Sequence, residues 1–461
     1  MRGQESGGPI VAMTLWETRD ERRGSSHARR PDAGIGYTGA GYGISVMSSF
    51  RAVPGRDLDG RDSGQEGGSV AEDRHPTKVG SLIDKVWYLP NLRRAWTLVK
   101  ANHGTWGVDG QSLEAFEAHL DEELQTLQAA LKDDTYVPQP GRRVYIPKPD
   151  GRRRGLAVPA VRDRVVAQAM RLRLEPYFEP RFAETSYGFR PGRSAHQAIG
   201  DVMASLHQGG EWIVEIDIEQ FFDTASHERL LAAVAEVVAD GRILRLVQAF
   251  LQAGVMEEGK RRTLVAGTPQ GGVLSPLLSN AFLNTFDHQM LAAGHRAVRY
   301  ADDSVVVCRT REDAEAALER VRQILEGQLG LQLHPQKTRI VHITEGFEFL
   351  GFRFWRDDRE LHLQPRARAV QRVKEKIRHL TRRLRPLRVD RIVAQLNPVI
   401  TGWGRYFRIG ELRRVGRRLD RWILRRLRAF LAKRWRTANW RRYPDAFFYR
   451  RLGLRSLRQF S

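Results

Sequence analysis

Residues 212–218 read Trp-Ile-Val-Glu-Ile-Asp-Ile, an apolar strand interrupted by acids at Glu215 and Asp217. Further along, two short apolar strands at 297–300 and 304–308 flank an Ala-Asp-Asp tip and read as a hairpin. A carboxylate at the end of a buried strand is costly unless it meets a cation. A fold that lays the hairpin tip beside the strand's end gathers Asp217, Asp302 and Asp303 in one place. Three mutually repelling carboxylates are held together most naturally by a hard divalent ion such as Mg²⁺. Taken alone, an Asp-Asp tip is common on exposed hairpins, so its meaning depends on what surrounds it.

The surroundings are long and unevenly charged. A chain of 461 residues suggests two or three domains, and an apolar fraction of 41% is enough for sizeable cores. No apolar run approaches the ~18 residues that span a bilayer, and no basic-then-apolar leader is visible. The single cysteine, Cys308, excludes a disulfide framework and a Cys-based zinc site, and reads as an apolar filler in its strand. A cytoplasmic setting is expected. The net charge of +22 points to a polyanionic partner. Residues 366–461 hold 30 Lys/Arg against five Asp/Glu, so the excess lies in one C-terminal block. Within it Leu412, Val415, Leu419, Trp422, Ile423, Leu427, Phe430 and Trp435 form a helical apolar stripe with arginine at most other positions. Concentrated positive charge of this kind reads as a nucleic-acid grip.

Four segments are expected: 1–80, Gly/Ser/Arg/Asp-rich, without period and unstructured, with Met47 as one candidate start; 81–211; 212–364, mixed strands and helices; and 365–461, all helical. Helices are expected near 226–239, 241–252 and 311–329, and strands near 339–344 and 347–355.

The ordered motifs carry a family resemblance. Tyr300-Ala301-Asp302-Asp303 resembles the YxDD box of reverse transcriptases, and the run Val214–Asp223 resembles their first palm motif. Gly267-Thr268-Pro269-Gln270-Gly271-Gly272 is similar to the loop lining the incoming nucleotide. Ile146-Pro147-Lys148-Pro149-Asp150-Gly151 with Arg154, and Ser186–Ser194, resemble fingers motifs of group II intron reverse transcriptases. Pro335-Gln336-Lys337-Thr338 and Phe349-Leu350-Gly351-Phe352 complete the palm, and Leu396–Phe407 resembles the maturase-specific region. One departure is Gly155-Leu156-Ala157-Val158-Pro159, where the family commonly has Pro-Leu-Gly-Ile-Pro.

The resemblance implies an α+β right-hand polymerase, with fingers in 81–211 and palm in 212–364, followed by an all-α thumb and maturase (X) region. It implies two Mg²⁺ ions held by Asp217, Asp302 and the Ile218 carbonyl, with Asp303 completing the carboxylate cluster. Lys148 and Arg154 would hold the triphosphate, and Gln270 and Gly271 would line the nucleotide pocket. Phe222 would exclude a 2′-hydroxyl. Arg152, Arg153, Arg190, Arg193 and Lys337 would meet template or primer, and Arg405, Arg417, Arg421 and Arg425 the intron RNA. Asp223 reads as a helix N-cap, and the histidines as structural.

The implied partners are a group II intron RNA, a DNA target and primer, and dNTPs. No membrane is implied, a bacterial nucleoid-associated location is, and monomer and dimer both stay open. With no cysteine after Cys308, a Cys-bearing endonuclease is not expected, which implies a primer already at hand, such as a nascent strand. The alternatives are a domesticated reverse transcriptase in host repair or defence, and an RNA-binding splicing factor with an inactive polymerase.

Overall fold

The computed structural model describes residues 78–147, 153–262, 266–267, 271–383, 385–432 and 442–460. Most of the N-terminal segment with Met47, and Trp435 of the apolar stripe, lie outside the described residues. Val79, within the stretch expected to lack structure, already pairs with Val238.

The chain opens with short helices that include Leu89–Ala101 and Leu120–Lys132. Their apolar faces pack against the long helix Val161–Phe178, which is buried nearly all round. Asp240 ties this region to the palm: its carboxylate accepts from the N–H groups of Leu82 and Ile83 while capping the helix Gly241–Gln252. The segment expected as a basic loop and turn is a hairpin, β1 (Gly141–Pro147) with β2 (Arg153–Val158). It is extended by β4 (Val255–Glu257) and β5 (Lys260–Arg262) into a sheet of order β2-β1-β4-β5.

The central sheet is antiparallel, of order β6-β7-β3-β8, from β3 (Trp212–Asp217), β6 (Ala297–Tyr300), β7 (Asp303–Cys308) and β8 (Arg339–His342). Period two sorts its side chains. Val214, Ile216 and Val306 enter one core, with the N-terminal helices and the helix Ser275–Ala292. Ile213, Val298 and Val305 enter a second core on the other face. That second core is shared with the helix Ala195–His207 and with a three-stranded sheet of β9 (Phe347–Phe349), β10 (Phe352–Arg356) and β11 (Leu361–Pro365). It is completed by three C-terminal helices, Ala367–Leu380, Val389–Phe407 and Leu412–Ala432. The helix expected over 311–329 is α-helical over Arg311–Arg322 and π-helical over Gln323–Gln328.

The helical block is thus packed onto the β9–β11 sheet rather than strung after it. At the joint, Tyr406 Oη donates to the Leu350 carbonyl (2.7 Å) and the Arg366 N–H to the Gly351 carbonyl (3.0 Å). Leu350 and Gly351 both have positive φ (48° and 82°), so two outside donors hold a turn that glycine helps to form. Among the described residues no helix is long and apolar enough to cross a membrane.

Candidate active site

The antiparallel register places Asp217 opposite Asp303, with Tyr300 on the next strand opposite Asp303 as well. The strand's end and the hairpin tip therefore converge, as the sequence required. Directly paired residues share a face of the sheet, so these acids project toward the second core and its helical block, on the same side as Glu215.

The carboxylates feel one another. Burial pushes the Asp303 carboxyl well above the ordinary range, and the charges of Asp302 and Asp217 push it further. Lys337 places its ammonium on Asp217 Oδ2 at 3.1 Å, at the edge of the site. The Asp217 backbone is fixed from the same loop, its carbonyl accepting from the His334 N–H (2.8 Å). Ile218 follows in a bridge to Leu333 with its side chain buried. Among the described residues no three His, Cys, Asp or Glu side chains are drawn together into a ready ion cage. The donor chemistry nonetheless fits Mg²⁺: oxygen ligands only, an excess of negative charge, and one cation already drawn to it.

The tip is held from beneath by a group the sequence reading missed. Arg299, 1% exposed, forks onto both oxygens of Asp287 (2.7 and 2.5 Å) and donates to Asn280 Oδ1, Ser186 Oγ and the Ala301 carbonyl. Asn280 in turn donates to the Gly188 carbonyl. Ala301 has φ 63°, a costly conformation for a residue with a Cβ, and the Arg299 bond to its carbonyl helps fix it. A signal was present: Asn280 and Asp287, seven residues apart, share one face of a helix whose residues between them include Ala281, Phe282, Leu283 and Phe286. Gly188 packs so closely on this turn that a Cβ there would lie 2.3 Å from the Ala301 nitrogen.

Phe221 is buried against Phe222 and Phe282, whereas Phe222 lies at the edge of the core with 9% exposure. The loop of Gly267 comes against this turn: its N–H donates to the Ala225 carbonyl, and a Cβ on Gly267 would lie 2.4 Å from the Phe222 carbonyl oxygen. Gly271 follows with φ 108°, a conformation that favours glycine. Lys148, Arg152 and Gln270 lie outside the described residues, as does the side chain of Arg154, whose backbone pairs with Ile146. Arg153 is exposed at the end of the β2 strand.

Two expectations are corrected. Arg190 does not face a template: it is 5% exposed, paired with Glu179, hydrogen-bonded to the carbonyls of Ala183 and Ser186, and stacked over Phe182. The N-cap of the helix His227–Ala235 is Ser226 rather than Asp223, because only the Ser226 hydroxyl reaches the Arg229 N–H. Arg193 stays half-exposed over Tyr187. Arg405, Arg417, Arg421 and Arg425 are all exposed on the C-terminal helices. His227 donates to or accepts at no metal-like cluster and bonds the Gly267 carbonyl instead.

Residues 146–354 match the family described as reverse transcriptase (RNA-dependent DNA polymerase), and residues 370–447 the group II intron maturase-specific domain. The chain is 39% identical to Protein YkfC of Escherichia coli (strain K12), over 60% of its own length and 82% of that protein's. It is 29% identical to the group II intron-encoded protein LtrA of Lactococcus lactis subsp. cremoris, covering 50% of this chain and 49% of LtrA. An uncharacterised 91 kDa protein in the cob intron of Schizosaccharomyces pombe is 31% identical over 55% of this chain and 32% of its own. The chain thus spans most of the first relative and about half or less of the other two.

Proposed function

The chain belongs to the group II intron family of reverse transcriptases and maturases, and from that premise we propose that it copies its intron RNA into cDNA during retrohoming while its basic helices hold that RNA and assist its splicing. It is an RNA-directed DNA polymerase and depends on a divalent metal. The observation that carries the catalytic reading is the register that sets Asp217 opposite Asp303 at the tip of the hairpin.

In this reading Asp217, Asp302, Asp303 and the Ile218 carbonyl hold two Mg²⁺ ions. Bound there, the ions supply charge stabilisation to an attacking 3′-hydroxyl and a departing pyrophosphate. Lys337 balances Asp217 and keeps its carboxylate oriented between turnovers. Lys148 and Arg154 take the triphosphate, and Gln270 and Gly271 line its pocket. Phe222, at the edge of the core beside that loop, excludes ribonucleotides. Arg152, Arg153 and Arg193 meet the template, and Arg405, Arg417, Arg421 and Arg425 the intron RNA. The partners are the intron RNA, a DNA target and primer and dNTPs, in a bacterial cytoplasm. A domesticated enzyme without an intron is less favoured, because the maturase-specific match covers most of the basic block.

Replacing Asp302→Asn tests the division of labour. Primer extension on an RNA template with Mg²⁺ and dNTPs should vanish, while intron binding and splicing assistance survive. Loss of splicing in a variant with its fold intact would refute it.

A further inference from the structure

We infer that the groove between the helices Ala367–Leu380 and Leu412–Ala432 seats an unpaired stretch of RNA, with Trp422 as the platform on which a base stacks. This rests on the reading of the C-terminal block as an RNA grip and says which form of RNA that grip takes.

The two helices bury their inner stripes, Ala369, Val373 and Ile377 on one and Leu419, Ile423 and Leu427 on the other. Between their outer faces lies an open groove of about 710 Å³. That is within the ~300–1,000 Å³ of sites that take single small molecules, large enough for a nucleotide unit and too small for a duplex. Lys374 stands on one wall and Arg418, Arg421 and Arg425 on the other. Arg418, Trp422 and Arg425 follow at helical spacing and share a face, so the ring lies between cations. Arg378 adds a guanidinium 5.6 Å from the Trp422 ring centroid. None of the four wall cations takes part in an ion pair among the described residues, and no acid lines the groove.

Its floor is apolar. Val370, Val415 and Trp422 are only partly buried there. An A-form duplex offers phosphates and sugars to the rim and would leave that floor wet. An unpaired strand can set its phosphates on the rim and lower a base onto the ring, the combination used by single-strand binders. The charge therefore selects a polyanion, and the floor selects one with free base faces.

The test uses the full chain and fluorescence anisotropy. A labelled oligo(A) RNA is titrated with the polymerase cleft occupied by excess unlabelled primer–template duplex, and a labelled blunt RNA duplex is titrated separately. Trp422→Leu keeps apolar bulk and removes the aromatic face; it should weaken oligo(A) binding about tenfold with an unchanged salt slope. Trp422→Phe should bind close to wild type, and duplex affinity should be the same for all three. Arg425→Gln should instead flatten the salt slope for oligo(A) by ~0.7. Wild-type affinity of Trp422→Leu for oligo(A), or an equal loss on the duplex, overturns the inference. Failure of the wild-type protein to bind either RNA overturns the parent reading of the basic block as well.

Discussion

Removing the Arg299 side chain separates stability from catalysis. Arg299→Leu leaves the Asp287 carboxylate, 0% exposed, without its bidentate partner in the interior. Breaking a buried pair from one side costs about 3–5 kcal/mol. Replacing both residues, Arg299→Leu with Asp287→Leu, removes the stranded charge and should recover most of that loss. The shortfall should be about 1–3 kcal/mol, the cost of the Ala301 carbonyl, the Asn280 amide oxygen and the Ser186 hydroxyl losing their donor. Activity should not recover in parallel. The Ala301 backbone at φ 63° then has no bond from below, and Asp302 and Asp303 ride on that turn. A displacement near 1 Å at reacting groups costs on the order of 10²-fold. Urea denaturation gives the stabilities and single-turnover primer extension the rates. If the double variant is as unstable as the single one, the desolvation argument is wrong; if it extends primers at the wild-type rate, Arg299 does not position the tip.

Three further outcomes follow from the same geometry. Gly188→Ala would bring a Cβ within 2.3 Å of the Ala301 backbone nitrogen and should reduce primer extension sharply at unchanged circular dichroism; wild-type extension rates would show that the turn can yield. Phe222→Val should raise ribonucleotide incorporation in a mixed rNTP/dNTP assay, whereas an unchanged ratio would return Phe222 to a packing role alone. His362 lies between Asp357 and Glu411, and hydrogen bonding to Asp357 raises its pKa above 6.5, while the backbone N–H groups of Glu360 and Arg359, with His362, lower Asp357 to about 2. The charged imidazolium therefore ties β11 to the start of the Leu412–Ala432 helix below pH 6.5, and this contribution is lost as pH rises through the raised value. The difference in urea midpoint between wild type and His362→Gln should shrink from pH 6 to pH 9 (about the span over which imidazole discharges); a constant difference would refute the tie.

The hairpin tip was legible because its rule is local, and its meeting with Asp217 was expected from the company of the other motifs. Period two fixes which side chains share a face, an acid at a strand's end needs company, and the ordered motifs supplied that company, so Asp217, Asp302 and Asp303 could be expected together, as the register then pairs Asp217 with Asp303. The helices Gly241–Gln252 and Leu412–Ala432 were readable from their apolar period for the same reason. What escaped depends on distant chain. Arg190 has the look of a surface cation in sequence, and only the approach of Glu179 and Phe182 makes it interior. Nothing local announces that the loop of Lys337 bonds the Asp217 backbone and side chain. The helix Ala195–His207 was grouped with the fingers by position, but its apolar face belongs to the core shared with the C-terminal helices.

That shared core has a consequence for how such an enzyme can be divided. Ile213, Val298 and Val305 on one side of the central sheet share one continuous core with side chains such as Leu396, Ile400 and Phe407 from the C-terminal helices. Cutting the chain before Ala367 would remove the C-terminal share of that core and uncover Phe352, which packs against Tyr406 and Phe407. The sheet-bearing block and the C-terminal helices thus keep one dry interior between them, and neither can be handed to a separate polypeptide without rebuilding it.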